Sequence, residues 1–381
     1  MQKVLILGGG IGGIVASTVL KKASGINVDV TVVEKDVHHH FAGSYPMMLV
    51  GKRKPEDITR DYSNLLKKGI NVFHREAQKI NLVEQQVITN QGVLDYDVLV
   101  IALGVEYHPE TIPGFSQYAY HVYDFEGVMK AQQKLAFFQE GHLVLFISGL
   151  PIKCPPAPYE MIFLIEEFLR KKGNRSKVNL TLVTPEPSPE PLAGPLVGQS
   201  VRKMLKGRGI NLITEAKVLA LEPGVLILDQ GQRIPGDLFF GIPSHWSPQV
   251  LRDTDLVDDA GWVQVDPHTL QTRYPGVYAI GDAAAIKLPV IGIQAPKAGI
   301  FAHYQAEVVA RNIALIAQGK NPTFRYTGKG ACIMNTGFGR ARYSMVRYYH
   351  KPGPFITLFR PSRAVFWSKL AFEKYWLKRW L

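Results

Sequence analysis

The amino-acid sequence predicts an α/β protein with two Rossmann-like domains and a C-terminal amphipathic region. Residues 3–34 follow a strand, glycine loop, helix and strand pattern, which is typical of a dinucleotide-binding βαβ unit. Residues 142–184 repeat the order strand, loop, helix and strand, and from residue 352 the chain becomes aromatic and basic. A chain of 381 residues is long enough for two such domains and a further region.

The first βαβ unit contains a glycine loop at residues 8–13, between a strand at 4–7 and a helix predicted to about residue 22. Gly8 permits the tight turn, Gly10 lets the backbone approach a pyrophosphate, and Gly13 lets the helix pack on the strand. The next strand, 28–33, is followed by Glu34, which is placed to accept a hydrogen bond from a ribose hydroxyl. We assign two further residues to the same site, Lys35 and Ser44.

Two later segments favour FAD over NAD as the dinucleotide. Residues 96–104 read as a buried strand that ends in a small-residue turn containing Ala102 and Gly104. Residues 276–282 read as a second strand that ends in Gly281 and Asp282. These segments are similar to those of two-dinucleotide flavoproteins, in which such a strand brings an aspartate to the ribityl chain of FAD. An isolated Gly-Asp pair is usually only a turn, but the complete set in this order predicts FAD.

The second βαβ unit lacks the glycine loop that a nicotinamide dinucleotide needs. Between the strand at 142–147 and a helix predicted over 159–171 there is one glycine, Gly149, with four prolines at positions 151, 155, 156 and 158. Proline has no N–H group to donate to a phosphate, and its φ is fixed. We therefore expect a Rossmann-like shape without an NADH site, with Cys154 in the place of the glycine loop.

The chain has two cysteines, Cys154 and Cys332, which are 178 residues apart. Two cysteines do not make a disulfide scaffold, and two unrelated buried thiols are the ordinary expectation. Their surroundings, a proline-rich loop for Cys154 and a glycine-flanked stretch for Cys332, favour a redox pair instead. Because Cys154 precedes a helix, we expect the helix dipole to lower the pKa of its thiol.

On these motifs the chain resembles the sulfide:quinone oxidoreductase family over nearly its full length. The most discriminating pair is Cys-Pro-Pro-Ala-Pro-Tyr-Glu at 154–160 with Pro-Lys-Ala-Gly at 296–299. The other matching stretches are the N-terminal glycine loop, residues 51–58 and 261–282, and the surroundings of Cys332. Flavocytochrome c sulfide dehydrogenases and type II NADH dehydrogenases are related families.

The resemblance implies a catalytic mechanism. A sulfur bridge links Cys154 to Cys332, and hydrosulfide attacks it to leave a persulfide on one cysteine and a thiolate on the other, assigned to Cys332. That thiolate passes electrons to FAD, quinone reoxidises the flavin, and repeated cycles lengthen a polysulfide. Lys297, with Gly299 beside it, is placed to stabilise the reduced flavin. Glu160 is either the base for the incoming sulfur species or a helix N-terminal glutamate favoured by the dipole.

Two departures from relatives refine this expectation. Many members of the family carry a third cysteine, which this chain lacks, so we expect FAD to bind non-covalently. Flavocytochrome c sulfide dehydrogenases attach FAD to a cysteine near position 42, where this chain has alanine.

Three consecutive histidines at 38–40 cannot converge on one ion from a strand, so no metal is predicted.

The positive charge is concentrated at the C-terminus. Of the net charge of +12, nine charges lie in residues 340–381, which hold ten Lys/Arg and one acid, Glu373. This distribution argues against a general nucleic-acid surface. A helix over 362–381 would align an apolar stripe of Phe366, Leu370, Leu377, Trp380 and Leu381, with Trp376 beside it and Lys369, Lys374, Lys378 and Arg379 on its flanks. Tryptophan flanked by lysine and arginine is typical of an in-plane membrane helix. Packing of this helix on the protein's own core is the alternative.

We predict four regions: residues 1–108 and 241–310 for FAD, 109–240 with Cys154, and 311–381 with Cys332. Phe338 and Phe359 are candidate walls for a quinone.

The sequence has no apolar run of about 18 residues and no signal peptide at its start. We therefore expect a monotopic protein on the cytoplasmic side of the cell membrane, with sulfide and quinone as substrates, no nucleic acid, and a possible homo-oligomer. The alternatives are an NADH:quinone oxidoreductase, a cytochrome-linked sulfide dehydrogenase and a flavin-bound redox sensor.

Overall fold

The computed structural model describes residues 1–25 and 27–381, and two five-stranded parallel sheets organise them. The strands of the first sheet are, in spatial order, Val277–Ala279, Val98–Ile101, Gln2–Leu7, Val28–Glu34 and Asn71–His74. The strands of the second sheet are, in spatial order, Ala119–His121, Leu238–Ile242, Gly141–Ile147, Val178–Val183 and Ile210–Ile213. The predicted fold class, with two Rossmann-like sheets, is confirmed.

Helices cover the faces of both sheets, which explains why the central strands are apolar on both sides. Of the α-helices in the described residues, six are long: Ile11–Ser24, Phe125–Phe137, Ala157–Lys172, Pro195–Lys206, Gly299–Ala317 and Arg363–Trp380. The five short ones are Tyr45–Leu49, Pro55–Ile58, Ser63–Lys67, Phe115–Tyr118 and Gln249–Arg252. The helix after Cys154 begins two residues earlier than predicted, since proline is tolerated in the first turn.

An antiparallel sheet of three strands carries Cys332. Its strands are Lys329–Gly337, Arg340–Arg347 and Phe355–Leu358. Two further three-stranded antiparallel sheets consist of Ala77–Asn81, Gln86–Thr89 and Gly92–Asp95, and of Val218–Glu222, Val225–Leu228 and Arg233–Pro235. Three short strand pairs are Glu106–Tyr107 with His245–Trp246, Val263–Gln264 with Ala284–Ala285, and His38–His40 with Thr59–Asp61.

The C-terminal helix, Arg363–Trp380, begins at a capping serine, Ser362, whose hydroxyl accepts a hydrogen bond from the Val365 N–H. Three residues of the predicted apolar stripe are buried against the protein, together with Trp376 beside it: Leu377, Trp380 and Leu381. Trp376 packs on the rings of His39 and Phe41. The expectation that this stripe faces a membrane is therefore wrong, and the alternative, core packing, describes it.

The opposite side of the C-terminal helix also carries aromatic residues. Trp367 and Tyr375 are 65% and 61% exposed, and Phe372 is exposed beside them. Among the described residues, no helix is both long enough and apolar enough to cross a bilayer.

Candidate functional site

The glycine loop at residues 8–13 has the geometry that a dinucleotide requires. Gly8 has φ of 100°, and a Cβ atom there would lie 2.4 Å from the carbonyl oxygen of Ala102. A Cβ atom at Gly13 would lie 1.9 Å from the carbonyl oxygen of Gly8, whereas one at Gly10 would meet nothing within 4 Å. The turn and the helix packing thus exclude a side chain at Gly8 and Gly13, and the backbone at Gly10 borders open space where a pyrophosphate can approach.

Glu34 ends the second strand of the first sheet beside this loop. Its Oε2 accepts a hydrogen bond of 2.6 Å from the backbone N–H of Gly9, so the carboxylate lies at the helix N-terminus. Lys35 is exposed next to it. Ser44 is buried, and its hydroxyl donates to Glu373 of the C-terminal helix, a partner that the sequence did not predict.

The carboxylate of Asp282 lacks a hydrogen-bond donor that a ribityl hydroxyl would supply. Its Oδ1 is buried, and no described residue donates to it. Burial raises the pKa of this carboxyl group, although Lys153 and Lys297 act against the rise. An unpartnered buried carboxylate oxygen is costly. Together with the open space at Gly10, this orphaned atom shows that the residues present fit FAD.

The other predicted FAD residues lie after strands of the first sheet or at the start of a helix. Ala102 and Gly104 follow the strand Val98–Ile101, and Gly104 has φ of 71°. The N–H of Gly281 donates to Gln305 Oε1 at 2.7 Å. Gly299 begins the helix Gly299–Ala317, where a Cβ atom would lie 2.4 Å from Cδ1 of Ile11.

Lys297 joins the FAD side of the site to the cysteine loop. Its Nζ donates to the carbonyl oxygen of Asp282 at 2.5 Å and lies 3.5 Å from the centre of the Trp262 ring. Burial lowers the pKa of Lys297 to about 8, with Asp282 and Asp258 opposing the shift. Its carbonyl oxygen accepts a hydrogen bond of 2.7 Å from the Cys154 N–H. The two motifs that define the family resemblance, 154–160 and 296–299, are therefore in direct contact.

The two cysteines lie near each other as free thiols. Cys332 is in the middle of the strand Lys329–Gly337, and Cys154 has a left-handed φ of 52° in the loop before the helix Ala157–Lys172. A non-glycine residue with such a φ is strained, and strained residues concentrate at functional sites. Burial raises the pKa of Cys332 well above its usual range, and the charge of Cys154 is the next cause.

The expectation that the helix dipole lowers the pKa of Cys154 is wrong. Burial, followed by the carboxylate of Glu160, raises this pKa to about 12, and the opposing charge of Lys369 does not reverse the shift. Desolvation of a buried thiolate therefore outweighs the dipole. Both cysteines hold their protons at neutral pH. A thiolate at either position therefore needs a neighbouring positive charge or an electron acceptor to be stable.

Glu160 is held from two sides. Its Oε1 accepts hydrogen bonds from Asn335 Nδ2 at 2.8 Å and from Lys369 Nζ at 2.5 Å, and the side chains of Glu160 and Lys369 are only 5% and 13% exposed. Burial raises the pKa of Glu160, although Lys369 and Asn335 act against the rise. Lys369 belongs to the C-terminal helix, and its part in the site was not predicted. The only signal in the sequence was its place at the edge of the apolar stripe.

The loop at 148–156 cannot cradle a second pyrophosphate with backbone N–H groups. Positions 151, 155 and 156 of this loop are prolines, and the N–H of Ala157, at the start of the following helix, donates to the Cys154 carbonyl oxygen at 2.8 Å. A Cβ atom at Gly149 would lie 2.2 Å from Ser244 Oγ, so this glycine serves local packing.

The candidate quinone residues lie on the sheet that carries Cys332. Phe338 is at the turn between its first two strands, and Phe359 follows the third strand and packs on Tyr343 at 5.5 Å between ring centres. Both side chains are exposed. In residues 1–25 and 27–381 no group of three His, Cys, Asp or Glu side chains could hold a metal ion.

Comparisons with known proteins agree with this geometry. The chain is 28% identical to the mitochondrial sulfide:quinone oxidoreductase of Mus musculus, over 92% of this chain and 79% of that protein. It is 26% identical to a type II NADH:quinone oxidoreductase of Staphylococcus aureus, over 96% and 95%. The crystal structure of the sulfide:quinone oxidoreductase from Aquifex aeolicus superposes with a TM-score of 0.90 at 25% identity, covering 100% of this chain and 91% of that one.

The family match depends on both sheets. The pattern of the pyridine nucleotide-disulphide oxidoreductase family matches residues 2–143 and 167–307. The interval between the two matched parts contains the cysteine loop, where the sequence departs from a glycine loop. The chain belongs to the pyridine nucleotide-disulphide oxidoreductase family.

Proposed function

We propose that this protein is an FAD-dependent sulfide:quinone oxidoreductase. The observation that carries the proposal is the contact between Cys154 and Lys297: a cysteine replaces the nicotinamide glycine loop, and the backbone N–H of that cysteine is bonded to the segment that borders the FAD site. The similarity to sulfide:quinone oxidoreductases from two organisms supports the same assignment.

The two cysteines carry out the sulfur chemistry. In the oxidised protein a sulfur bridge links Cys154 to Cys332. Hydrosulfide attacks the sulfur on Cys154, so that a new S–S bond forms, the bridge breaks, and Cys332 leaves as a thiolate. FAD, which the glycine loop, Glu34 and Asp282 would hold, would supply the two-electron acceptor for this sulfur and the electron donor for a quinone. The high pKa values of both thiols favour this transfer, because a buried thiolate without compensation is unstable.

Glu160 accepts a proton during the reaction, and Lys297 provides a positive charge for the flavin. Glu160 accepts the proton of the persulfide that forms on Cys154, since no other charge acts on the Cys154 sulfur as strongly as that of Glu160. Lys369 keeps Glu160 available as a carboxylate, and Asn335 fixes its orientation. Lys297, close to Asp282, provides the positive charge that stabilises reduced FAD.

The C-terminal region provides the contact with the membrane that holds the quinone. The exposed side of the C-terminal helix presents Trp367, Phe372 and Tyr375, with exposed Lys374, Lys378 and Arg379 among them. Aromatic and basic side chains on one helix face suit an anionic lipid surface. Phe338 and Phe359 line the approach of the quinone, and the protein is peripheral to the membrane.

The proposal is tested by anaerobic turnover with a water-soluble quinone. We expect sulfide-dependent quinone reduction in the wild-type protein and a loss of at least about a thousandfold in Cys154→Ser and Cys332→Ser, with unchanged FAD content. NADH should not replace sulfide. Turnover with NADH that survives both cysteine substitutions would instead support the NADH:quinone oxidoreductase reading.

A further inference from the structure

A second buried ion pair, Arg342 with Glu190, lies beside the cysteines and has no part in the mechanism above. Nη2 of Arg342 donates to Glu190 Oε1 at 2.6 Å, and the two side chains are 2% and 5% exposed. Arg342 extends from the middle strand of the sheet that carries Cys332, and Glu190 comes from a proline-rich loop at 185–195. Glu190 has a left-handed φ of 50°, so its position is held at a conformational cost.

The register of the sheet places Arg342 next to Cys332. Cys332 pairs with Ser344, and Met334 pairs with Arg342, so the four side chains share one face. Diagonal neighbours across such strands are about 7–8 Å apart, a distance that a long side chain such as arginine can span. The charge of Glu190 raises the pKa of both cysteines, which places the carboxylate near the thiols as well.

Arg342 retains unused hydrogen-bonding capacity in this buried position. Its Nε and Nη1 have no hydrogen-bond partner among the described residues, and Nη2 has Met334 Sδ at 3.9 Å as a further contact. A guanidinium presents five N–H donors and cannot lose its charge, so a buried arginine requires acceptors. An anion beside Cys332 would supply them.

We propose that Arg342 and Glu190 form the binding site for the sulfide substrate, in which Glu190 takes up a proton from hydrogen sulfide and Arg342 holds the hydrosulfide anion that results. This inference rests on the proposed function. Neutral hydrogen sulfide enters the buried site without the cost of moving a charge out of water. It transfers one proton to the Glu190 carboxylate, which becomes a carboxylic acid, and the hydrosulfide replaces that carboxylate on the guanidinium. The anion is then adjacent to the bridge that it attacks.

The site has the polarity that this step needs. The charged and titratable groups that face Glu190 are Arg342 and Tyr348 from the sheet, Glu186 from its own loop, Tyr159 from the helix after Cys154, and the two cysteines. Burial raises the pKa of Glu190, although Arg342 opposes the rise, and Glu186 has a pKa raised by burial to about 7. Glu190 is therefore a stronger base than an exposed glutamate, and Glu160 is left to serve Cys154.

The test follows flavin reduction by sulfide in the FAD-loaded enzyme after rapid anaerobic mixing. In Arg342→Met we expect the sulfide concentration for half-maximal rate to rise about tenfold or more, as expected for the loss of a hydrogen bond to a charged group. Glu190→Gln should lower the rate of flavin reduction. The pH profile of this rate should also no longer show the ionisation of Glu190. The control is Arg175→Met, since Arg175 is also a largely buried arginine near a carboxylate, Glu166, but lies outside this site.

A binding measurement separates substrate binding from a structural role of the pair. Bromide, a monovalent anion, is soaked into crystals and located by anomalous scattering. We expect a bromide at Arg342 in the wild-type protein, higher occupancy in Glu190→Gln because the competing carboxylate is gone, and no bromide in Arg342→Met or, if that variant does not fold, Arg342→Gln. An unchanged sulfide dependence in the arginine variants, or bromide absent from both wild-type and Glu190→Gln crystals, would overturn the inference alone. Failure of sulfide to reduce the wild-type flavin would overturn the proposed function with it.

Discussion

Removing the cation from Glu160 should make the protein's stability depend on pH in a defined way. The substitution Lys369→Met leaves a buried carboxylate whose Oε1 keeps only Asn335 as a donor in the contacts described above. Removing one partner of a buried ion pair costs about 3–5 kcal/mol. We take about 3 kcal/mol, the lower end of that range, because the lysine side chain is 13% exposed and water moderates the loss.

The direction of the pH dependence follows from the raised pKa of Glu160. The unfolded chain releases this proton near the ordinary value of 4.5, whereas the folded protein releases it at higher pH. Stability therefore falls as pH rises from about 4.5 through the folded pKa. Lys369→Met raises the folded pKa further and extends this window upward. The destabilisation should be small near pH 4 and approach about 3 kcal/mol near pH 8.

Urea unfolding of wild-type and Lys369→Met at several pH values measures this effect, and the double variant Lys369→Met/Glu160→Gln tests its cause. The double variant should recover much of the stability at pH 8, because no buried charge is left unpaired. Lys130→Met, an exposed lysine on another long helix, should change the free energy of unfolding by less than about 0.5 kcal/mol. A loss in Lys369→Met that is the same at every pH would refute the reasoning.

The remaining predictions concern FAD, the flavin potential and the C-terminal helix. Gly8→Ala should abolish FAD retention because its Cβ would clash with the Ala102 carbonyl, whereas Gly319→Ala, which also has positive φ but open space, should keep the flavin absorbance. Lys297→Met should lower the flavin reduction potential by about 30 mV or more, as measured by spectroelectrochemistry. The pH dependence of this potential should also lose an inflection near pH 8. A potential that does not change would exclude Lys297 from the flavin environment. Trp376→Ala should lower the free energy of unfolding by about 3–5 kcal/mol. Trp367→Ala should leave stability nearly unchanged but weaken binding to anionic vesicles, and equal vesicle binding would remove this face from the membrane contact.

The local parts of the site could be predicted from the sequence because they depend on short-range geometry. The positions of Gly8, Gly13 and Glu34 follow from the βαβ unit, whose strand, turn and helix are adjacent in the chain. Likewise, the prolines after Gly149 show directly that amide donors are missing. The proximity of Cys154 and Cys332, which are far apart in the chain, came only from the family resemblance.

The errors and omissions concern long-range contacts and burial. The apolar stripe of the C-terminal helix was recognised, but an amphipathic pattern does not say whether the stripe meets lipid or protein. For the same reason the pattern places Lys369 on the flank of the stripe but does not show that it pairs with Glu160. The pKa of Cys154 was misjudged because the helix dipole is visible in the sequence, whereas the desolvation that outweighs it is not. Nothing in the sequence around Arg342 indicated that it would be buried beside Cys332.

The most direct test of the account is an anaerobic titration of the purified, FAD-loaded protein with sulfide, followed by flavin absorbance. The account predicts that about one equivalent of sulfide bleaches the flavin, that adding quinone restores the absorbance, and that Cys332→Ala stays oxidised. NADH should not bleach the wild-type protein. Bleaching by NADH with no response to sulfide would contradict the role assigned to the two cysteines.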